Sequence, residues 1–141
     1  MTVIEKIMTL GRIPIFSELD TTALAHISSF AMEETFAAGV QIIDEGEYGQ
    51  HMYIIVDGSV EVETNNVQIA NLLPGDFVGE MSMLDGGSRS ASVRAITDCL
   101  LLRIDKDDFE QLLSTYSSAA LAVIRTLSKR LRDGIAVAAS A

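Results

Sequence analysis

Gly75-Asp76-Phe77-Val78-Gly79-Glu80-Met81-Ser82-Met83-Leu84-Asp85-Gly86-Gly87-Ser88-Arg89-Ser90-Ala91-Ser92 is the stretch from which the fold is read. Two glycines lead in, then come an acid, one apolar helical turn, a glycine pair, and an arginine among small residues. Gly79 permits close backbone approach and a strained angle. A short helix starting near Glu80 would aim unpaired N–H groups at whatever precedes its first turn, a disposition that favours phosphate. Arg89 can fork two N–H bonds onto phosphate oxygens. Glu80, ionised, only accepts, so it suits a sugar hydroxyl and repels the phosphate. The stretch reads as a pocket for an anion that carries hydroxyls.

Outward from it, the hydropathy pattern has period two on both sides. Upstream, from about Met32, short β-type runs centre on Phe36, Val40, Ile42-Ile43, Met52–Val56, Val60–Val62 and Val67–Ala70. Asp57-Gly58 and Asn65-Asn66 separate them with residues that tolerate positive φ, the chemistry of hairpin turns. Downstream, Ala91–Ile96 and Leu100–Ile104 read as two more strands. Closely spaced strands with such turns predict a small antiparallel barrel or roll.

Helical periodicity brackets the strands. Thr2 and Glu5 have capping-box spacing ahead of Ile4, Ile7 and Met8, and Gly11 ends that helix. Asp20 is an N-cap for a second helix carrying Leu24 and Ile27, with His26 at its surface. Asp105 can cap a helix whose buried stripe is Phe109, Leu112 and Leu113. After a pause at 115–118, a last helix carries Leu121, Ile124, Leu127 and Leu131 on a narrow apolar face, suited to a lid, a dimer seam or both. Arg125, Lys129, Arg130 and Arg132 gather at its C-terminal end, where cations suit the dipole. Arg130 is expected in solvent there, within reach of a bound base. Gly134 loosens this helix and 136–141 reads as a frayed tail. The fold class expected is α+β, mainly β: an antiparallel roll flanked by N-terminal helices and two C-terminal helices. One domain covers 1–141, with helices over 1–31, the roll over 32–105 and the C-terminal helices over 106–134.

Composition narrows the function. The chain has 141 residues, 20 acids against 10 bases and a formal charge of −10. That balance argues against broad nucleic-acid contact and against anionic membranes, while one local arginine can still hold a small anion. Cys99 is the only cysteine and sits in an apolar run, so it reads as a buried thiol; with two histidines, the chain has too few soft ligands for zinc. No secretion signal or membrane-length run is present, so a cytoplasmic location is expected. No nucleophile–base pair or metal cluster supports catalysis, and the chain is expected not to be an enzyme.

With strands on both sides of the cassette Phe77-Val78-Gly79-Glu80-Met81-Ser82-Met83-Leu84…Arg89-Ser90-Ala91-Ser92-Val93, and with Glu45-Gly46-Glu47-Tyr48-Gly49…Asp57-Gly58 upstream, the sequence resembles the cyclic-nucleotide-binding domain. The resemblance runs from about Leu10 to Arg132 and makes 77–93 the phosphate-binding cassette. It implies that Arg89 pairs with a cyclic phosphate, helped by the Ser90 hydroxyl and the Ala91 N–H, and that Glu80 holds the ribose 2′-hydroxyl. Gly79 gives close approach to the sugar, and Val62 and Leu73 wall the base. Met81 and Ser82, on the cassette helix, complete the ligand set, while Met83 and Leu84 read as packing. Arg130 could serve as a lid. The implied ligand is cAMP or cGMP, between which Ser90 does not discriminate; no cofactor or metal is implied. Gln50, Val78 and Ser88 depart from common family residues without removing a ligand group. The resemblance further implies a population shift in which the cassette helix moves and Met83 acts on the hinge around Phe109 and Leu113. No helix-turn-helix segment follows the last helix, so DNA binding is not expected; a homodimer or an effector could contact that helix. The alternative from another class is an interaction or dimerisation domain of the same fold that needs no nucleotide.

Overall fold

The computed structural model describes residues 1–133; the readings of Gly134 and of 136–141 fall outside them. The elements are α1 (Val3–Gly11), α2 (Thr21–Phe30), β1 (Met32–Phe36), β2 (Gln41–Ile43), β3 (His51–Asp57), β4 (Val60–Thr64), β5 (Val67–Leu72), β6 (Phe77–Val78), α3 (Glu80–Asp85), β7 (Ser92–Ala95), β8 (Cys99–Asp105), α4 (Lys106–Thr115) and α5 (Ser117–Arg132). The strands form two four-stranded antiparallel sheets, ordered β1-β8-β3-β6 and β2-β7-β4-β5. Asn65 and Asn66 both take positive φ in the tight turn between β4 and β5, as the hairpin reading expects.

In sheet β1-β8-β3-β6 the strands β8, β3 and β6 send apolar residues to cores on both faces, whereas β1 is largely exposed. Along β3, Met52 and Ile54 join the helices while Tyr53 and Ile55 face the roll interior. Along β8, Leu102 and Ile104 point to the helices and Cys99 and Leu101 into the roll. The two residues of β6 divide the same way: Phe77 on the helical side, Val78 on the roll side. Inside the roll, Val60, Val62, Val93 and Ala95 come from the second sheet to complete that core.

Caps explain where the N-terminal helices begin. The Glu5 N–H donates to Thr2 Oγ1 at 3.1 Å, and the Ala23 N–H to Asp20 Oδ1 at 2.9 Å. Asp105 precedes α4 without a side-chain cap bond. Its carboxylate lies 3.1 Å from Arg103 Nε on the same strand, so an ion pair has drawn it from the capping role.

The last helix buries mainly residues outside the apolar stripe read in the sequence. Its buried residues are Ala119, Ala122 and Val123, with Leu127 packed against the helical core. Leu121, Ile124 and Leu131 are 49%, 60% and 72% exposed. The helix has therefore turned its small residues inward, which lets its backbone approach α4 closely and leaves the leucine–isoleucine stripe in water. Phe109 on α4 is fully buried and meets Phe16 edge to face at 6.3 Å between centroids. It joins the C-terminal helices to the connector after α1. Phe109→Ala is expected to cost about 3–5 kcal/mol, the usual range for emptying a phenyl site, measured by urea denaturation.

Candidate functional site

The cassette leaves the sheet at β6 and turns at Gly79, whose φ is +92°. A Cβ at Gly79 would strike Arg89 Nη1 and lie 3.1 Å from the His51 carbonyl oxygen. Glycine is thus required twice, by conformation and by space. α3 ends at Gly86, φ +74°, whose N–H donates to the Ser82 carbonyl at 3.0 Å. The chain then returns, and Arg89 comes back beside the turn that started the helix.

Arg89 is 5% exposed. Its Nη1 donates to the Gly79 carbonyl at 2.8 Å and to Ser82 Oγ at 3.0 Å, and its Nη2 to the His51 carbonyl at 2.6 Å. One guanidinium thereby joins both ends of the cassette to β3. Gly49 makes room for it: a Cβ there would collide with Ser82 Oγ and lie 2.5 Å from Arg89 Cζ. Burial pulls the Arg89 pKa down, against the favourable charges of Tyr53, Glu80 and Glu47.

Glu80, the residue after Gly79, is fully buried. Oε1 lies 3.3 Å from Arg130 Nη1, and Oε2 has no hydrogen-bond partner among the described residues. Burial raises its pKa to about 7 from an ordinary 4.5, outweighing the Arg130 charge, a backbone hydrogen bond and Arg89, which pull the other way. A buried carboxylate oxygen without a donor is costly and rare. Such an atom is able to accept from a donor beyond the described residues.

Arg130 departs from the expectation of a solvated helix end. Its guanidinium lies 3.5 Å from the Phe77 ring centroid, a cation–π geometry, while it pairs with Glu80. The turn of α5 that places Leu127 on the core carries Arg130 inward as well. Glu80, Met81, Leu127, Ser128, Arg130 and Leu131 line a cavity of about 220 Å³. A second cavity, about 120 Å³, touches Arg89 and is walled by residues from Ile42 to His51.

Of the other sequence-selected residues, Ser82 is buried on Arg89, Met81 lines the larger cavity, and Ala91 is fully buried in the roll core. Ser90 is exposed, and its carbonyl accepts from Thr64 Oγ1 at 3.4 Å. Val62 is buried in the roll and Leu73 is 59% exposed, and neither lines these two cavities. The structure also brings in residues that the sequence reading did not select. His51 contributes its backbone carbonyl, for which a side chain gives no signal. Phe77 is the platform for Arg130, and its position before the Val78-Gly79 turn was the available clue. Gly49 lies in the upstream glycine pattern, but only the contact with Arg89 shows what it is for.

Two outcomes test this geometry. Between pH 4.5 and 7 the folded chain holds a proton on Glu80 that the unfolded chain has released, so this residue subtracts stability as pH rises through that window. Glu80→Gln, neutral and nearly isosteric, is expected to raise Tm above wild type at about pH 8 and to lose that advantage near pH 5; equal melting at both pH values would contradict a buried charge. Gly49→Ala, through its clash with Arg89, is expected to destabilise by about 1–3 kcal/mol, the range for overpacking, read by urea denaturation.

The family model for the cyclic nucleotide-binding domain matches residues 33–116. The chain is 38% identical over 127 residues to a cyclic nucleotide-gated potassium channel of Mesorhizobium japonicum, covering 90% of this chain and 35% of the channel. It thus spans about a third of the length of that relative. Among solved structures it is similar to the catabolite activator protein of Thermus thermophilus, with TM-score 0.79, 31% identity, and coverage of 86% of this chain and 59% of that one. It is also similar to the N-terminal domain of a Streptomyces coelicolor transcriptional regulator, with TM-score 0.75, 29% identity, and coverage of 89% and 94%. The two-sheet roll with its helical flanks is the β-roll of these proteins, and this chain belongs to the cyclic nucleotide-binding domain family.

Proposed function

We propose that this chain binds a cyclic nucleotide, cAMP or cGMP, on the cassette and passes its occupancy to the C-terminal helices. The observation that carries the reading is the burial of an arginine and a carboxylate at one turn of the cassette. The Gly79 carbonyl accepts from Arg89, and Glu80, whose Oε2 has no hydrogen-bond partner among the described residues, follows directly. Arg89 is thus held against the residue that precedes Glu80, and we take the anion at Arg89 and the hydroxyl at Glu80 to belong to one small ligand. A phosphate fused to a ribose has both groups on one rigid ring.

In this reading Arg89 pairs with the phosphate, with the Ser90 hydroxyl and Ala91 N–H beside it. Glu80 accepts from the 2′-hydroxyl, and Gly79 lets the backbone approach the sugar. Met81 and Ser82 complete the cassette face, with Val62 and Leu73 as the wall toward the base. α5 is the lid, and Arg130 is at its site end. Output goes through Met83, which shares the helical core with Phe109 and Leu112. A ligand shifts that packing only by the difference in its affinity for the two arrangements. No step in this cycle breaks a covalent bond, so the role is regulatory, not catalytic. Among the described residues no helix is long and apolar enough to cross a membrane, and we place the domain in the cytoplasm.

The exposed stripe Leu121, Ile124 and Leu131 supports a second reading, in which α5 docks a second copy of the chain or an effector. That interaction is compatible with nucleotide binding, and it replaces the first reading only if no nucleotide binds. Calorimetric titration with cAMP and with cGMP separates the two. Charge-assisted hydrogen bonds contribute about 1.5–3 kcal/mol each, so Arg89→Ala is expected to weaken the preferred nucleotide at least about tenfold. Equal affinities for wild type and variant would remove Arg89 as the anchor; no heat at millimolar nucleotide would remove the function.

A further inference from the structure

We propose that His51 is a proton-coupled positioning residue for Arg89: its imidazole takes a proton from solvent when an anion occupies the guanidinium, so that nucleotide binding and proton uptake reinforce each other. The inference rests on the cyclic-nucleotide reading above and deepens it.

His51 meets the anion site twice. Its carbonyl oxygen accepts from Arg89 Nη2 at 2.6 Å, and the residue lines the smaller cavity, of about 120 Å³, together with Arg89. The ring is held from the other side. Its Nε2 lies 3.2 Å from Tyr53 Oη, and the two rings meet edge to face with centroids 5.1 Å apart. Tyr53 Oη in turn donates to Glu34 Oε2 at 3.1 Å. A tyrosine hydroxyl has a single hydrogen to give. With that hydrogen on the carboxylate, the hydroxyl can only accept from the imidazole, which assigns the neutral ring's proton to Nε2. Nδ1 has no hydrogen-bond partner among the described residues, so it keeps its lone pair and is the nitrogen left to protonate.

The charges around the ring decide when that proton is taken. Arg89 acts from the cassette, Arg103 and Asp105 from β8, and Glu34 from β1, with Asp105 directly opposite His51 in the strand register. Asp44, Glu47 and Tyr48, from the turn after β2, share the smaller cavity. Burial, then Arg89 and Arg103, hold the His51 pKa below its ordinary 6.5, against the pull of Asp105 and Glu34. The ring is therefore neutral at pH 7 before a ligand arrives. Arg103 is already paired with Glu34 and Asp105. Arg89 is the cation at which the cyclic-nucleotide reading puts an anion, and an anion there offsets the repulsion and favours the imidazolium. By linkage, the proton then strengthens anion binding by the same factor as the anion strengthens proton binding.

The test follows the imidazole nitrogens of the two histidines by heteronuclear NMR through a pH titration, without ligand and with saturating cAMP or cGMP. The His51 signals are those lost in His51→Gln, a variant that keeps a donor toward Tyr53 and takes no proton. Without ligand, His51 is expected as the Nε2–H tautomer, titrating below the range of a free imidazole. With nucleotide its midpoint is expected to rise. Calorimetry gives a second readout that cancels the titration of Glu80, which both proteins share. From about pH 7.5 to about pH 5.5 the affinity of wild type relative to His51→Gln is expected to grow at least about threefold, the effect of one charge near another in a largely aqueous setting. A midpoint that stays or falls at saturating nucleotide overturns the inference, as does a neutral ring protonated at Nδ1 or an affinity ratio that ignores pH. If His51→Gln does not fold, the wild-type tautomer and midpoint decide, with the signals assigned through His26→Gln. Nucleotide binding with an unmoved His51 sinks this inference alone, whereas absence of any binding sinks the parent reading and this one with it.

Discussion

The two-sided burial of strands β8, β3 and β6 is the constraint on which the site depends. A sheet with helices on one face and a second sheet on the other must place alternate residues in two different cores. Its last strand, β6, has only Phe77 and Val78, one for each core. The chain that leaves this strand emerges at the seam between the cores, and the first residue past it is Gly79. The cassette helix then sends Met83 to the helical core, while the returning chain sends Ala91 to the roll core. A loop anchored in both cores cannot move without disturbing the packing of at least one.

Polar groups held at such a seam carry a desolvation cost. Glu80, Ser82 and Arg89 are buried there, in a chain whose other charged side chains lie mostly near water. Arg89 offsets its cost with bonds to two backbone carbonyls and a hydroxyl. Glu80 is paired at one oxygen by Arg130, and its other oxygen has no hydrogen-bond partner among the described residues. Retaining an ionisable group with a raised pKa in a buried position is costly to stability and useful at a binding site. The same residue that weakens the fold as pH rises is the one with an acceptor to offer.

The contrast between the two arginines shows what sequence reasoning could reach. Arg89 sits at a fixed spacing from Gly79 and Glu80 in one continuous stretch, and local geometry brings the three together. The strands were legible for a similar reason, because the alternation in β4 and the Asn65-Asn66 turn are local features. Arg130 is fifty residues from Glu80. Its meeting with Phe77 and the carboxylate depends on how α5 rotates about its axis. The leucine–isoleucine stripe left that rotation open, and the burial of Ala119, Ala122 and Val123 fixed it. Periodicity registers which residues are apolar but does not weigh close approach of small side chains against burial of large ones.

By itself the sequence determined the order of helices and strands and the Asn65-Asn66 hairpin turn, and it drew Gly79, Glu80 and Arg89 into one stretch, because each arises from residues near one another in the chain, whereas Asp57-Gly58 joins strands of two different sheets. Tertiary structure decided the rest. It set which carbonyls hold Arg89, why Gly49 must lack a side chain, which face of α5 is buried, and that one oxygen of Glu80 is paired while the other has no partner among the described residues. Those features come from contacts between distant segments, and such contacts depend on the shapes of two cores that no single stretch of the chain contains.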